Sequence, residues 1–203
     1  MSLMTDIHVR SFTGSHIKIY LHSIAKLLEE LFREYPYFQE TNIEQQTKYV
    51  RDTASHKDAI AVLIFDNTTL VGISIGVPLS AESAEIHRPF LERQFSIADY
   101  YYFSASLLLK PYRGRGIGHH FFDVRETHVQ HCKRYTHICF CTPVRPQVDP
   151  ERPDDYLQLD DFWRKRGYIH HPDMQSHLPW TSIKAQERQP ITKTMSFWIK
   201  ALN

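Results

Sequence analysis

Residues 107–118 read Leu107-Leu108-Leu109-Lys110-Pro111-Tyr112-Arg113-Gly114-Arg115-Gly116-Ile117-Gly118, and this segment decides how the chain folds. An apolar strand leads into a turn with glycines at three alternate positions, and a helical pattern begins at the last glycine. The first N–H groups of such a helix have no partner within the helix, and together with the helix dipole they attract an anion. Glycine has no Cβ to hold a phosphate at a distance.

Two arginines add charge to the same turn. Arg113 and Arg115 carry forked donors that suit phosphate, so the segment predicts a pyrophosphate site for a nucleotide-like cofactor. A P-loop is excluded because His119 and His120 stand where Lys and Ser or Thr are required. A dinucleotide fingerprint is excluded as well, because its third glycine position holds His119 and no acidic residue stands at positions 132–134.

A third phosphate-binding pattern does fit. Arg113, Gly116 and Gly118 stand at the three defining positions of (R/Q)-x-x-G-x-(G/A), so the segment resembles motif A of the GNAT superfamily of N-acetyltransferases. The resemblance implies a loop that holds the pyrophosphate of acetyl-coenzyme A, and a backbone N–H on the preceding strand that meets the thioester carbonyl. The residues expected to contact this cosubstrate are Leu107, Leu108, Leu109, Arg113, Gly114, Arg115, Gly116, Ile117, Gly118 and His119.

The resemblance also implies the fold class. We expect a single α/β (α+β) domain over residues 1–203, with a mixed, mostly antiparallel central sheet of six to seven strands flanked by helices. Apolar periodicity predicts the element order βααββ, an inserted helix, then βαβαββ. The predicted helices cover 17–31, a segment that starts at a capping box over 41–44, 80–95, 117–132 and 155–166. The predicted strands cover 7–10, 59–65, 70–77, 100–109, 136–142, 181–187 and 194–202.

A second segment fits the family less well. Many GNAT enzymes show N-x-x-A-x-x-x-Y-x-x-x-G-F, and this chain keeps the ending as Gly167-Tyr168 but places Trp163 at the tyrosine that often acts as general acid. An indole does not titrate usefully, so another group must serve. Alternation places Tyr100, Tyr102, Ser104 and Ser106 on one face of their strand. The candidate catalytic acids are Tyr102, Tyr100 and Tyr156.

The general base has no clear candidate in the sequence. No carboxylate lies between Tyr100 and Lys110, where many family members carry one. The nearest carboxylates along the chain are Asp99, Glu85, Asp149, Asp154 and Asp155, and a base acting through ordered water stays open. His137, Cys139 and Cys141 share one strand, but no second cluster completes a zinc site, so no metal is expected.

Composition limits which binding partners and which cellular compartment we expect. The net charge of +1 points neither to nucleic acid nor to an anionic membrane, and no run approaches the ~20 apolar residues of a membrane span. We expect no signal peptide, because Met1–Thr5 lacks a charged region and an apolar core. Three cysteines suggest free thiols in a reducing compartment, so we expect a cytoplasmic protein. Trp180, Phe197 and Trp198 could serve a homodimer or the core.

The sequence therefore predicts an acetyl-coenzyme A-dependent N-acetyltransferase that acts on a small-molecule amine by direct attack in a ternary complex. In GNAT folds the connection between the first two helices often walls the acceptor site, which here is Tyr35–Glu40. Two alternatives stay open. One is acetylation of a protein lysine or N-terminus, and the other is a catalytically silent module that binds coenzyme A.

Overall fold

The computed structural model describes residues 6–146, 148–183 and 190–202. The strands are β1 Ile7–Thr13, β2 Ile60–Asp66, β3 Thr69–Pro78, β4 Tyr100–Leu108, β5 His137–Pro143, β6 Ile169–Thr181 and β7 Pro190–Ala201. The α-helices are α1 Leu21–Leu31, α2 Ile43–Thr53, α3 Ala84–Leu91, α4 Ile117–Cys132 and α5 Asp160–Lys165. The order of these elements along the chain is the predicted one.

All seven strands form one sheet in the order β1-β2-β3-β4-β5-β7-β6. Only β4 and β5 run parallel, and every other neighbouring pair is antiparallel. One apolar core lies between the sheet and α1, α2 and α3, and a second lies between the sheet and α4. Because both faces are covered, Ile60–Phe65 reads as a continuous apolar run rather than an alternating one. The predicted fold class is confirmed.

Two irregularities of β4 shape the centre of the molecule. β4 and β5 pair only where Tyr100–Tyr102 faces His137–Cys139, and beyond that point the strands are no longer paired. Opposite β3, Ile75 aligns with Ala105 and Gly76 with Phe103, so Ser104 is an extra residue in a β-bulge. A bulge shifts the alternation by one residue. The prediction that Ser106 shares the face of Tyr100 and Tyr102 is therefore wrong.

Several predicted boundaries also change. The first helix is preceded by a 3₁₀ turn over Gly14–Tyr20, and α2 is capped by Asn42 with Gln45, one residue later than predicted. The segment 80–95 contains a shorter helix, α3, because only part of it winds regularly. α5 begins at Asp160, so Tyr156 precedes this helix rather than opening it.

The largest difference concerns the penultimate strand. It was predicted over 181–187 but lies at Ile169–Thr181, while residues 184–187 fall outside the described part of the chain. β6 lies at the end of the sheet and, among the described strands, pairs with β7 only, so it is an edge strand; just its last residue, Thr181, also accepts a backbone hydrogen bond, from Glu40. An edge strand can hold polar residues and prolines that a central strand cannot, which is why its sequence lacks a strand signal.

Three aromatic residues whose role was open belong to the interior. Trp180, Phe197 and Trp198 are buried and pack within the protein, so they do not form an exposed dimer seam. Cys132, Cys139 and Cys141 have free thiols. Within the described ranges, no helix combines the length and the apolar character needed to cross a bilayer.

Candidate active site

The glycine-rich turn forms an open cradle at the start of α4. Gly114 and Gly116 have φ angles of +72° and +77°, in the left-handed region that favours glycine. Gly116 is the N-cap residue of α4. A Cβ added at Gly116 or Gly118 would meet no atom within 4 Å apart from the neighbouring backbone, so both positions face open space. The buried side chain of Ile117 anchors this turn on the core.

The charged residues of the turn take different positions. The Arg113 Nε donates to the Leu108 carbonyl oxygen over 2.7 Å, and its guanidinium pairs with Glu34 beyond the end of α1. Arg113 therefore ties the loop to its surroundings. Arg115 is exposed and lies over the Tyr112 ring, 5.7 Å from its centroid. His119 is exposed in the first turn of α4, with its ring edge against Phe162.

The three leucines before the turn differ in where their N–H groups point. The Leu109 N–H donates to the Val71 carbonyl oxygen of β3 over 2.9 Å. Because an antiparallel ladder alternates, the Leu107 N–H also faces β3, while the Leu108 N–H faces the side on which β5 no longer pairs with β4. Of the three, Leu108 is the candidate for contact with a ligand carbonyl.

The three candidate tyrosines lie in different surroundings. The Tyr102 hydroxyl is 3.0 Å from the Cys141 sulfur, at the last residue of β4 that pairs with β5. Tyr100 packs against Phe90 and stacks on His137. Tyr156 lies in the loop before α5, edge-on to Tyr35. Burial raises the pKa of all three phenols, which makes each a weaker acid than a free tyrosine.

One carboxylate that sequence reasoning missed stands out in the structure. Glu82 is partly buried four residues after the end of β3, and burial raises its pKa to about 7. Within the part of the chain that the structure describes, no hydrogen bond or ion pair engages its carboxylate. Its charge raises the pKa of Tyr49, of Tyr102 and of the Cys141 thiol, so it lies near all three. This carboxylate can accept a proton near neutral pH.

Glu82 lines a pocket of about 150 Å³. The other lining residues are Tyr49, Asp52, Thr53, His56, Val77 and Ala81. The Tyr49 hydroxyl lies 2.6 Å from the Ser104 hydroxyl, which connects the pocket wall to the bulge of β4. The antiparallel pairing of β3 with β4 brings Glu82 back beside this strand. Its position a few residues after the apolar run 70–77 is a weak hint in the sequence.

The chain was compared with known protein families, protein sequences and solved structures. No protein-family model and no curated protein sequence matches the chain. Among solved structures, yncA of Salmonella typhimurium, determined with its cofactor acetyl-CoA, superposes with a TM-score of 0.62 at 7% identity, covering 98% of this chain and 95% of that one. Arabidopsis thaliana NAA60 with a bisubstrate analogue gives 0.59 at 10% identity, covering 97% and 100%. Aminoglycoside 6'-acetyltransferase type Ii gives 0.55 at 16%, covering 96% of each chain.

The chain has the GNAT fold. In this GNAT fold, Trp163 occupies a structural position, because its ring packs against Phe140 and Trp198 with centroids 5.1 Å apart in each case. Trp163 therefore belongs to the packing of the second core and supplies no titrating group.

Tyr35–Glu40, the segment predicted to wall the acceptor site, packs against the loop that follows β5 through Tyr35. The Tyr35 hydroxyl donates to Asp149 over 3.2 Å, and Asp149 pairs with Arg145, whose guanidinium lies 4.7 Å from the Tyr35 ring centroid. The wall is thus held by the loop after β5. Among the described residues, no group of three or more His, Cys, Asp or Glu side chains could hold a metal ion.

Proposed function

We propose that this protein is an acetyl-coenzyme A-dependent N-acetyltransferase that acts on a small-molecule amine. The observation that carries the proposal is the open glycine cradle at the N-terminus of α4, directly after the stretch of β4 that no longer pairs with β5. The cradle presents backbone N–H groups and the positive end of the helix dipole, which suit a pyrophosphate. Gly114, Gly116 and Gly118 leave room for it.

The remaining predicted contacts divide into phosphate and acyl contacts. Arg115 and His119 are exposed beside the cradle and can add charge or hydrogen bonds to the phosphates, while Arg113 keeps the loop in place. The Leu108 N–H faces the open side of β4 and would polarise the thioester carbonyl. The side chains of Leu107 and Leu109 pack against the first core, which fixes the strand.

Glu82 fits the role of general base. An amine must lose a proton as it attacks, and a carboxylate with a pKa of about 7 is substantially ionised at neutral pH yet basic enough to accept that proton. The small pocket beside Glu82 favours a small amine over a protein segment. Direct attack is favoured over a covalent intermediate, because burial raises the pKa of the Cys141 thiol to about 12 and disfavours its thiolate.

The location and the oligomeric state remain proposals. Free thiols suit a reducing compartment, so we propose that the enzyme works in the cytoplasm. A homodimer remains a prediction that oligomeric-state measurements would test.

Thermal unfolding with ligands tests the proposed function. Acetyl-coenzyme A should raise the melting temperature, because a ligand that binds only the folded state stabilises it, by about 2.7 kcal/mol at 100 times its dissociation constant. NAD and ATP at the same concentration should act much more weakly, since they lack the pantetheine arm. An equal response to all three would overturn the proposal. Thiol release with a panel of amines then identifies the acceptor.

A further inference from the structure

α4 carries an arginine that is buried without a counter-ion in contact. Arg125 is 0% exposed. Its Nη1 donates to the carbonyl oxygens of Ile75 and Ala105 over 3.1 and 3.3 Å, and its guanidinium lies 3.8 Å from the centroid of the Phe103 ring. Within the described chain, no carboxylate forms an ion pair with it. Burying a charge that only neutral groups contact costs folding free energy, which points to a role for Arg125 beyond packing.

The charge of Arg125 persists at neutral pH. Burial lowers its pKa to about 9, and the groups whose charges also act on it are Tyr168, Tyr101, Glu126 and Arg166. Helical periodicity does not reveal such a residue, because a charged side chain is expected on the solvent face. The structure instead places a cation beneath the bulge of β4, on the face that carries α4.

One hydrogen bond links the buried Arg125 to a side chain at the surface. Its Nη2 donates to the Ser106 hydroxyl oxygen over 2.8 Å. Ser106 is exposed and lies on the part of β4 that no longer pairs with β5. The bulge at Ser104 is what turns Ser106 toward α4, since regular alternation would have directed it to the opposite face. The buried cation is therefore joined to the open side of β4 by a single side chain.

The hydrogen bonds of the neighbouring Ser74 hydroxyl determine which way the Ser106 proton points. Ser74 donates its hydroxyl proton to the Ala105 carbonyl oxygen over 3.0 Å, and a serine has only one such proton. In the 3.0 Å contact between the Ser74 and Ser106 hydroxyls, Ser106 is then the donor. A bound ligand with a stronger acceptor could take this proton instead. A hydroxyl that accepts a hydrogen bond from a cation is a stronger donor.

We propose that the Ser106 hydroxyl, polarised by Arg125, donates a hydrogen bond to the sulfur of coenzyme A as it leaves. This role would replace the tyrosine that Trp163 displaces, and it rests on the proposed acetyl transfer. As the amine forms the new C–N bond, the C–S bond breaks and its electron pair goes to sulfur. Glu82 takes the amine proton, Ser106 stabilises the thiolate through its hydrogen bond, and solvent later protonates the thiolate. Arg125 acts through Ser106 and is a positioning residue.

The test measures the thiol pKa of bound coenzyme A, from the ultraviolet absorbance of its thiolate as pH is varied. In the wild-type protein this pKa should lie below that of free coenzyme A. Ser106→Ala and Arg125→Met should raise it by about one unit, a tenfold change in the thiolate ratio. Arg125→Lys should keep part of the effect, because it retains the charge without the fork. The kcat should fall at least about tenfold in Ser106→Ala while the KM for acetyl-coenzyme A changes little.

Ser74→Ala is the matched control, because it removes the neighbouring hydroxyl and leaves the Arg125–Ser106 contact. It should leave both readouts near wild type. Ser106→Ala alters an exposed side chain, so it decides the question even if Arg125→Met fails to fold. An unchanged thiol pKa and kcat in Ser106→Ala that still binds coenzyme A would overturn this inference and leave the proposed function standing. Failure of the wild-type protein to bind coenzyme A would overturn both.

Discussion

Replacing Glu82 by glutamine tests the most informative electrostatic feature of the site. In the folded protein the pKa of Glu82 is about 7, above its ordinary value of 4.5, because burial penalises the carboxylate. A difference of this size corresponds to about 3 kcal/mol. Partial contact with solvent reduces the expected effect to about 1–2 kcal/mol. Since the folded pKa is raised, stability is highest below pH 4.5 and declines as pH rises through 7.

Glu82→Gln should remove this decline, because glutamine stays neutral. The free energy of unfolding of the variant minus that of wild type should therefore be about 1–2 kcal/mol larger at pH 8 than at pH 4, so the variant is relatively more stable at the higher pH. For a chain of this length the change corresponds to about 2–8 °C in melting temperature. Denaturant or thermal unfolding at both pH values measures it. Glu92→Gln is the matched control, since Glu92 is exposed at the end of α3 and the change in charge is the same.

The same variant tests catalysis independently. If Glu82 is the base, the kcat/KM for a verified amine should rise with pH through an inflection near 7 in the wild type. Glu82→Gln should lose this inflection and about 10²–10⁴ of the rate, while binding of acetyl-coenzyme A persists. A variant that keeps the inflection would refute the assignment of the base. A stability difference that does not change between pH 4 and pH 8 would refute the electrostatic reasoning.

Two further changes probe the cradle and the tyrosines. Gly118→Val should weaken coenzyme A binding at least about tenfold, or 1.4 kcal/mol, in calorimetric titration, because the new side chain would occupy the open space proposed for the pyrophosphate. Gly118 is preferred to Gly116 for this test, because valine at Gly116 would be strained by the φ of +77°. Unchanged binding by a folded Gly118→Val protein would place the cofactor elsewhere. Tyr→Phe at Tyr100, Tyr102 or Tyr156 should leave kcat near the parent value, because Ser106 is proposed to stabilise the thiolate. A ~10²-fold loss at one of them, foremost at Tyr102 where β5 stops pairing with β4, would assign acid catalysis to that tyrosine instead. Parent rates for all three would exclude tyrosine acid catalysis from these positions.

The cradle was predictable because its physics is local. Three alternate glycines between an apolar run and a helical pattern predict a strand, a turn and a helix start within about a dozen residues. The structure has each of these, with Gly114 and Gly116 in the left-handed region. The order of helices and strands was predictable for the same reason, since periodicity is a property of neighbouring residues. The edge strand β6 was missed because one-sided pairing relaxes its composition.

The sequence by itself thus determined the succession of elements and the glycine-rich turn before α4, because both follow from neighbouring residues. Only the tertiary structure decided which side chains lie around the open part of β4. The bulge at Ser104 arises from how β3 and β4 align, and it places Ser106 on the face where Arg125 donates a hydrogen bond to it. The pairing of the same strands brings Glu82 beside Tyr49 and Tyr102. Register and burial are set by contacts between distant parts of the chain, so no local pattern encodes them.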